Sequence, residues 1–100
     1  MNKELTMKAS LNGVTLAESD ETILVEGNHY FPPGSIDWDH FRERQLRSLC
    51  VWKGIARYYD IEVDGKVEKG AAWTYHHPYP WIRKIRDHVA FGGGAEVGAR

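Results

Sequence analysis

The chain has a single cysteine, Cys50, so no intrachain disulfide can form and the framework of a small secreted domain is excluded. A surplus of charge is missing too. The 13 Lys and Arg stand against 14 Asp and Glu, and a net charge of -1 supplies no global field for a phosphate backbone or an anionic membrane. Neither nucleic acid nor a membrane is therefore expected as a partner. No apolar run approaches the roughly 18 residues of a membrane span, and Met1–Lys8 lacks the apolar stretch of a secretory signal, so a cytoplasmic location is expected. Metal-ligand spacings are also lacking: His29, His40, His76, His77 and His88 form no HxxxH, there is no CxxC, and adjacent His76 and His77 would point to opposite faces of a strand. No metal and no cofactor is expected. There is no Gly-x-Ser-x-Gly element, and Gly92-Gly93-Gly94 has no helix after it to complete a phosphate cradle.

Large rings, by contrast, are plentiful. Four Trp, five Tyr and three Phe in 100 residues let a small core bury much area with few side chains, enough for one domain and not for two. Asn12-Gly13 tolerates the two positive φ values of a tight hairpin and separates Met7–Leu11 from Val14–Ala17, two strands. Thr22–Val25 reads as a third, bounded by Gly27-Asn28. Pro32 and Pro33 then take the chain out of the sheet, and Ser35 is expected to cap a helical turn through Asp37, Trp38 and His40. The polar run Arg42–Arg47 extends that turn or is solvated loop. After Gly54, Ile55, Arg57, Tyr59, Ile61 and Val63 alternate with Ala56, Tyr58, Asp60 and Glu62, the period of a strand; Asp64-Gly65 closes a second hairpin, and Ala71–Tyr75 continues the β character. Trp81, Ile82, Ile85 and Val89 fall at helical spacings behind Pro78 and Pro80, predicting a helix of about two turns before a short strand Val89–Phe91. Gly92–Arg100 reads as flexible, with the domain proper spanning residues 7–97 and the tail proper 98–100.

Candidate chemistry concentrates in Cys50–Tyr59 and Ala71–Pro80. Lys53 stands between Trp52 and Gly54, and the glycine permits a turn that would lift the ammonium toward an anion beside an aromatic wall. Tyr58, Trp73 and Tyr75 would join Trp52 along a pocket if adjacent strands bring them onto one face, or serve simply as core. Cys50 is a thiolate nucleophile if a neighbouring cation lowers its pKa, and otherwise a small buried hydrophobe.

An ordered set of blocks resembles a family of small bacterial domains of unknown function, numbered four-two-seven and sometimes labelled nucleotidyltransferase-like. The blocks are Ala17-Glu18-Ser19, Val25–Pro33, Cys50-Val51-Trp52-Lys53-Gly54, Ala56–Tyr59, Ala71-Ala72-Trp73, Tyr75 and Val89–Phe91. The resemblance implies a small β-rich fold akin to the β-tent group and brings no known reaction with it. Val51, Thr74, His76-His77 and Gly92-Gly93 depart from residues common in the family. The label itself finds little here: Gly34–Asp39 echoes a Gly-Ser and paired-Asp signature, but Asp37 and Asp39 are compressed beside two prolines and suit a helix start better than magnesium.

The expectation is thus a mainly β domain, an antiparallel meander with one or two short helices. Its site, Trp52, Lys53, Gly54, Tyr58, Trp73 and Tyr75, would take an unidentified small molecule, anionic or aromatic. The alternatives are group transfer by Lys53 or Cys50, with Tyr58, His29 or Glu26 as acid or base, and a protein-interaction domain anchored by Trp38, Tyr79 and Trp81.

Overall fold

Asn12-Gly13 and Asp64-Gly65 turn as expected, with paired positive φ values of 50° and 81° and of 53° and 80° that match the twist of the strands they join. The computed structural model describes residues 6–99, so the expectations that fall on residues 1–5 and on Arg100 lie outside it. The first turn joins β1 (Met7–Leu11) to β2 (Val14–Ser19). A third turn of the same kind, Glu26-Gly27, joins β3 (Ile23–Val25) to β4 (Asn28–Tyr30) with φ values of 55° and 80°. After β5 (Phe41–Cys50) and β6 (Gly54–Val63), the Asp64-Gly65 turn leads into β7 (Lys66–Thr74), then β8 (Val89–Phe91) and β9 (Glu96–Ala99).

The fold is mainly β, and its described strands pair antiparallel in three sheets ordered β2-β1-β9, β3-β4 and β5-β6-β7-β8. Phe31 and Val89 exchange backbone hydrogen bonds of 2.8 and 2.9 Å, so the β3–β4 hairpin is carried on from the β8 edge.

The alternation read in β6 places apolar groups on both faces of the large sheet. Tyr59, Ile61 and Val63, with Phe31, Phe41 and Phe91, pack against Ala9, Leu11, Leu16 and Ala17 of the smaller sheet, and Phe91 meets both Phe31 and Phe41 edge-on. On the opposite face Ala56, Tyr75 and Ala90 are covered by Val25 and Tyr30 of the β3–β4 hairpin and by Ile82 and Ile85. Burying a side chain such as Ile61 or Ile85, both 0% exposed, contributes about 1.5–3 kcal/mol. Toward the β5–β6 turn the first face runs on without such cover, and Leu49 and Ile55 are 65% and 53% exposed there.

Four expectations are corrected. Arg42–Arg47 is neither helical turn nor loop; it lies in β5, an edge strand exposed along most of its length, whose backbone pairing with β6 needs no apolar alternation. Ser35 does not cap a turn through His40. Two 3₁₀ turns form, Pro33–Ser35 and Trp38–His40; the Ser35 hydroxyl donates back to the Pro32 carbonyl at 2.7 Å, and Asp37 caps the second by accepting from the Asp39 N–H. The two-turn helix is a 3₁₀ segment, Pro80–Ile85, kinked at Ile82. The i, i+3 spacing of Ile82 and Ile85 suits it, while Asp87, at φ 61° with its N–H bonded to the Tyr75 carbonyl at 2.9 Å, turns the chain toward β8. Finally, the segment read as flexible contains β9: Val97, Gly98 and Ala99 pair with Ala9, Lys8 and Met7.

Candidate functional site

The turn between β5 and β6 sets the site. The Lys53 N–H closes it on the Cys50 carbonyl at 3.1 Å, and the Lys53 carbonyl accepts from the Tyr79 N–H at 3.0 Å, so the backbone of Lys53 is held on both sides. Its side chain turns to the face covered by the β3–β4 hairpin, where the residue is 5% exposed. There the ammonium lies 5.1 Å from the Trp52 ring centroid and 5.7 Å from that of Tyr75, within cation–π range of both, and donates to a Glu26 carboxylate oxygen. The Trp52 indole N–H donates to the other oxygen at 2.9 Å.

Beyond Tyr75 the aromatic groups are continuous. Tyr75 and Tyr30 have centroids 6.4 Å apart, the Tyr30 hydroxyl accepts from the Trp73 indole at 3.2 Å, and Trp73 lies 6.5 Å from Tyr58, its direct cross-strand partner. The Tyr58 hydroxyl is 2.7 Å from the Ser48 hydroxyl on β5. Trp52, Lys53, Tyr58, Trp73 and Tyr75 therefore belong to one connected group. Gly54 borders a separate cleft on the other face of the sheet.

The binding site expected from the sequence omits two members, Tyr30 and Glu26, the latter expected only as an acid or base for group transfer. Tyr30 ends a three-residue strand shortly before two prolines, where nothing announces that it is 1% exposed. Glu26 carries a legible signal: it occupies the first turn position, φ 55°, where the other two hairpins have Asn12 and Asp64. A longer side chain is disfavoured in that region by about 1–2 kcal/mol, and the carboxylate it brings is the one Lys53 and Trp52 use. His29 instead meets the Thr22 hydroxyl at 2.8 Å.

The charges are fixed by these contacts. Hydrogen bonds from Lys53 and then Trp52 hold Glu26 below the usual carboxylate range. Burial works against the Lys53 ammonium, yet its bond to Glu26, with the groups of Tyr75, Tyr30 and Cys50 around it, keeps it above the ordinary lysine range. Burial pushes Tyr75 up to about 12 and also raises Tyr30, so both rings stay neutral beside the cation. Burial pushes the Cys50 thiol up, but backbone N–H groups of Trp52 and Lys53 and the nearby ammonium outweigh it and lower its pKa. The centre can thus hold one buried cation against one carboxylate within a neutral aromatic wall. Among the described residues no three His, Cys, Asp or Glu gather as a metal ion would need.

A family model described as Domain of unknown function (DUF427) matches residues 2–98. The chain belongs to that family. No curated protein matches it. Within this DUF427 domain, Asp37 and Asp39 lie in and beside a 3₁₀ turn, where Asp37 faces His40 at 3.5 Å. Of the rings considered as anchors, Trp81 is 68% exposed and stacks near Tyr79 at 5.2 Å, while Trp38 packs on Phe41 at 5.3 Å. No described helix is long and apolar enough to cross a membrane.

Proposed function

We propose that this DUF427 domain is a small-ligand-binding module whose receptor is the Trp52–Lys53–Tyr75 centre and whose ligand is an organic anion with an aromatic body. The observation that supports this reading is that a buried ammonium, flanked by two ring faces, is neutralised by a carboxylate from an exposed hairpin tip. The Glu26 side chain is 48% exposed and that of Lys53 7%. Glu26 thus holds the place a ligand carboxylate would take, and it does so from a turn position that glutamate occupies at a conformational cost. A ligand anion exchanging with Glu26 would keep the charge on Lys53 paired, which a buried ammonium requires, and would set its ring against Trp52. The reading involves neither nucleic acid nor a membrane.

The test is competition. In a titration with arene carboxylates followed by amide NMR shifts, Glu26→Gln is expected to bind more tightly than the parent, because the internal competitor is gone, and Lys53→Met not at all. The NMR spectrum reports at the same time that each variant is folded. Ligands that bind the parent and both variants with equal affinity would overturn the assignment.

A further inference from the structure

The uncovered face beside the β5–β6 turn holds a second arrangement, unrelated to Lys53. The pairing of β5 with β6 sets Arg47 directly opposite Arg57. Cross-strand partners project to the same face with their Cβ atoms about 4.5–5.5 Å apart, and like charges there repel. Neighbouring arginines have counter-ions: Arg44 meets Asp60 at 3.2 Å and Arg42 meets Glu62 at 3.5 Å; the His76 ring, which also lines the cleft, meets the Asp87 carboxylate at 2.8 Å. The side chains of Arg47 and Arg57 form no ion pair or hydrogen bond with any described residue. Glu43, which shares with them an adjoining cleft of about 50 Å³, pairs with neither.

Both arginines line a cleft of about 210 Å³ whose other walls include Leu49, Ile55, Tyr79 and His77 and no acidic residue. Leu49 and Ile55, themselves cross-strand partners, form an apolar floor. The cleft has one cationic end and one apolar, aromatic end. Its volume exceeds the roughly 150 Å³ that takes up benzene and falls short of the roughly 300 Å³ at which drug-sized sites begin.

We propose that this cleft binds an organic phosphate monoester whose body is a single ring or its apolar equivalent. A phosphate monoester carries a charge of about -1.5 to -2 and three acceptor oxygens. Two guanidinium groups facing each other can each present a fork to it, which turns their mutual repulsion into a shared attraction. The ring lies along Leu49 and Ile55 toward Tyr79. This site is on the opposite face of the sheet from Lys53 and stands or falls separately from it.

Phenyl phosphate is the probe, titrated into the whole chain and followed by calorimetry and amide NMR shifts. The expected result is binding that weakens with salt, shifts centred on Arg47, Leu49, Ile55 and Arg57, and a loss of roughly tenfold or more in affinity in Arg57→Gln and in Arg47→Gln. Because each substitution also removes a like-charge pair, each variant is expected to melt higher than the parent. Retained affinity in the Arg47→Gln/Arg57→Gln double variant, or shifts centred elsewhere, would overturn the site. Inorganic phosphate binding as tightly as phenyl phosphate would overturn the role of the apolar floor, and a lower melting temperature in the variants would overturn the repulsion that motivates it.

Discussion

Alanine at Gly54 is expected to destabilise the domain by about 2–3 kcal/mol. Gly54 has φ 123°, a region L side chains rarely adopt, and forcing one there costs of order 1–3 kcal/mol. An added Cβ would also stand 3.2 Å from the His77 carbonyl oxygen and 3.5 Å from the Pro78 Cα. That segment cannot retreat freely, because the Tyr79 N–H is bonded to the Lys53 carbonyl at 3.0 Å, a bond worth about 1 kcal/mol net. Against these, alanine narrows the unfolded ensemble and returns about 0.4–1 kcal/mol. In a domain of this size the balance lowers Tm by roughly 10–20 °C. Urea unfolding with an unchanged m value measures it directly. Gly65→Ala is the control: its φ is 80° and its Cβ would meet nothing within 4 Å, so it isolates the backbone cost. Equal losses in the two variants would refute the claim that the His77–Tyr79 segment is clamped against the β5–β6 turn.

Two pH responses follow from the aromatic centre. Because the Lys53 and Trp52 bonds hold Glu26 below its ordinary 4.5, its contribution to stability is full above that value and is lost as pH falls through the lower folded value; the acid limb of a melting-temperature profile is expected to be shallower in Glu26→Gln, and an unaltered limb would contradict the pairing. Burial raises Tyr30, Tyr59 and Tyr75, the last to about 12, so stability is full below the ordinary tyrosine value of 10 and decays as pH rises from there through 12. An ultraviolet titration in which all the phenols ionise together near 10 while the fold persists would contradict their burial.

Much of the fold was legible because its turns are chemically explicit. Asn12-Gly13 and Asp64-Gly65 carry residues that reach positive φ cheaply, and β6 has one clean alternation. Glu26-Gly27 escaped because glutamate is a poor residue for the position, which is also why it marks the site. Three strands were hidden in the sequence: β4 is three residues long and runs into the two prolines, while β5 and β9 are edge strands, most of β5 and all of β9 exposed, so that backbone pairing alone defines them and no hydrophobic period betrays them. The proline-led segment had the apolar spacing of a helix, but Ile82 and Ile85 are buried by two short 3₁₀ turns that meet at a kink at Ile82, and Val89 belongs to the next strand. At the site, Trp52, Lys53, Tyr58, Trp73 and Tyr75 could be gathered from strand pairing, whereas Glu26 and Tyr30 come from a hairpin docked through Phe31 and Val89, a contact 58 residues apart in sequence.

The paired arginines were illegible for a further reason, which bears on what they are for. Arg44 pairs with Tyr58, and an unbroken ladder would continue with Gln45 opposite Arg57, a neutral partner. Instead the register slips between Arg44 and Arg47, so that Gln45 and Leu46 bulge out, Leu46 is left 46% exposed, and Arg47 is brought opposite Arg57. A like-charge pair in that position costs of order 0.2–1 kcal/mol, and exposing a leucine returns nothing to the fold. Bulges re-aim side chains beside binding sites at such a cost. At Lys53 the chain supplies its own carboxylate to a buried cation; at Arg47 and Arg57 it spends an irregular strand to bring two cations together and supplies none. That contrast, within one hairpin, is the physical argument for an anion from outside.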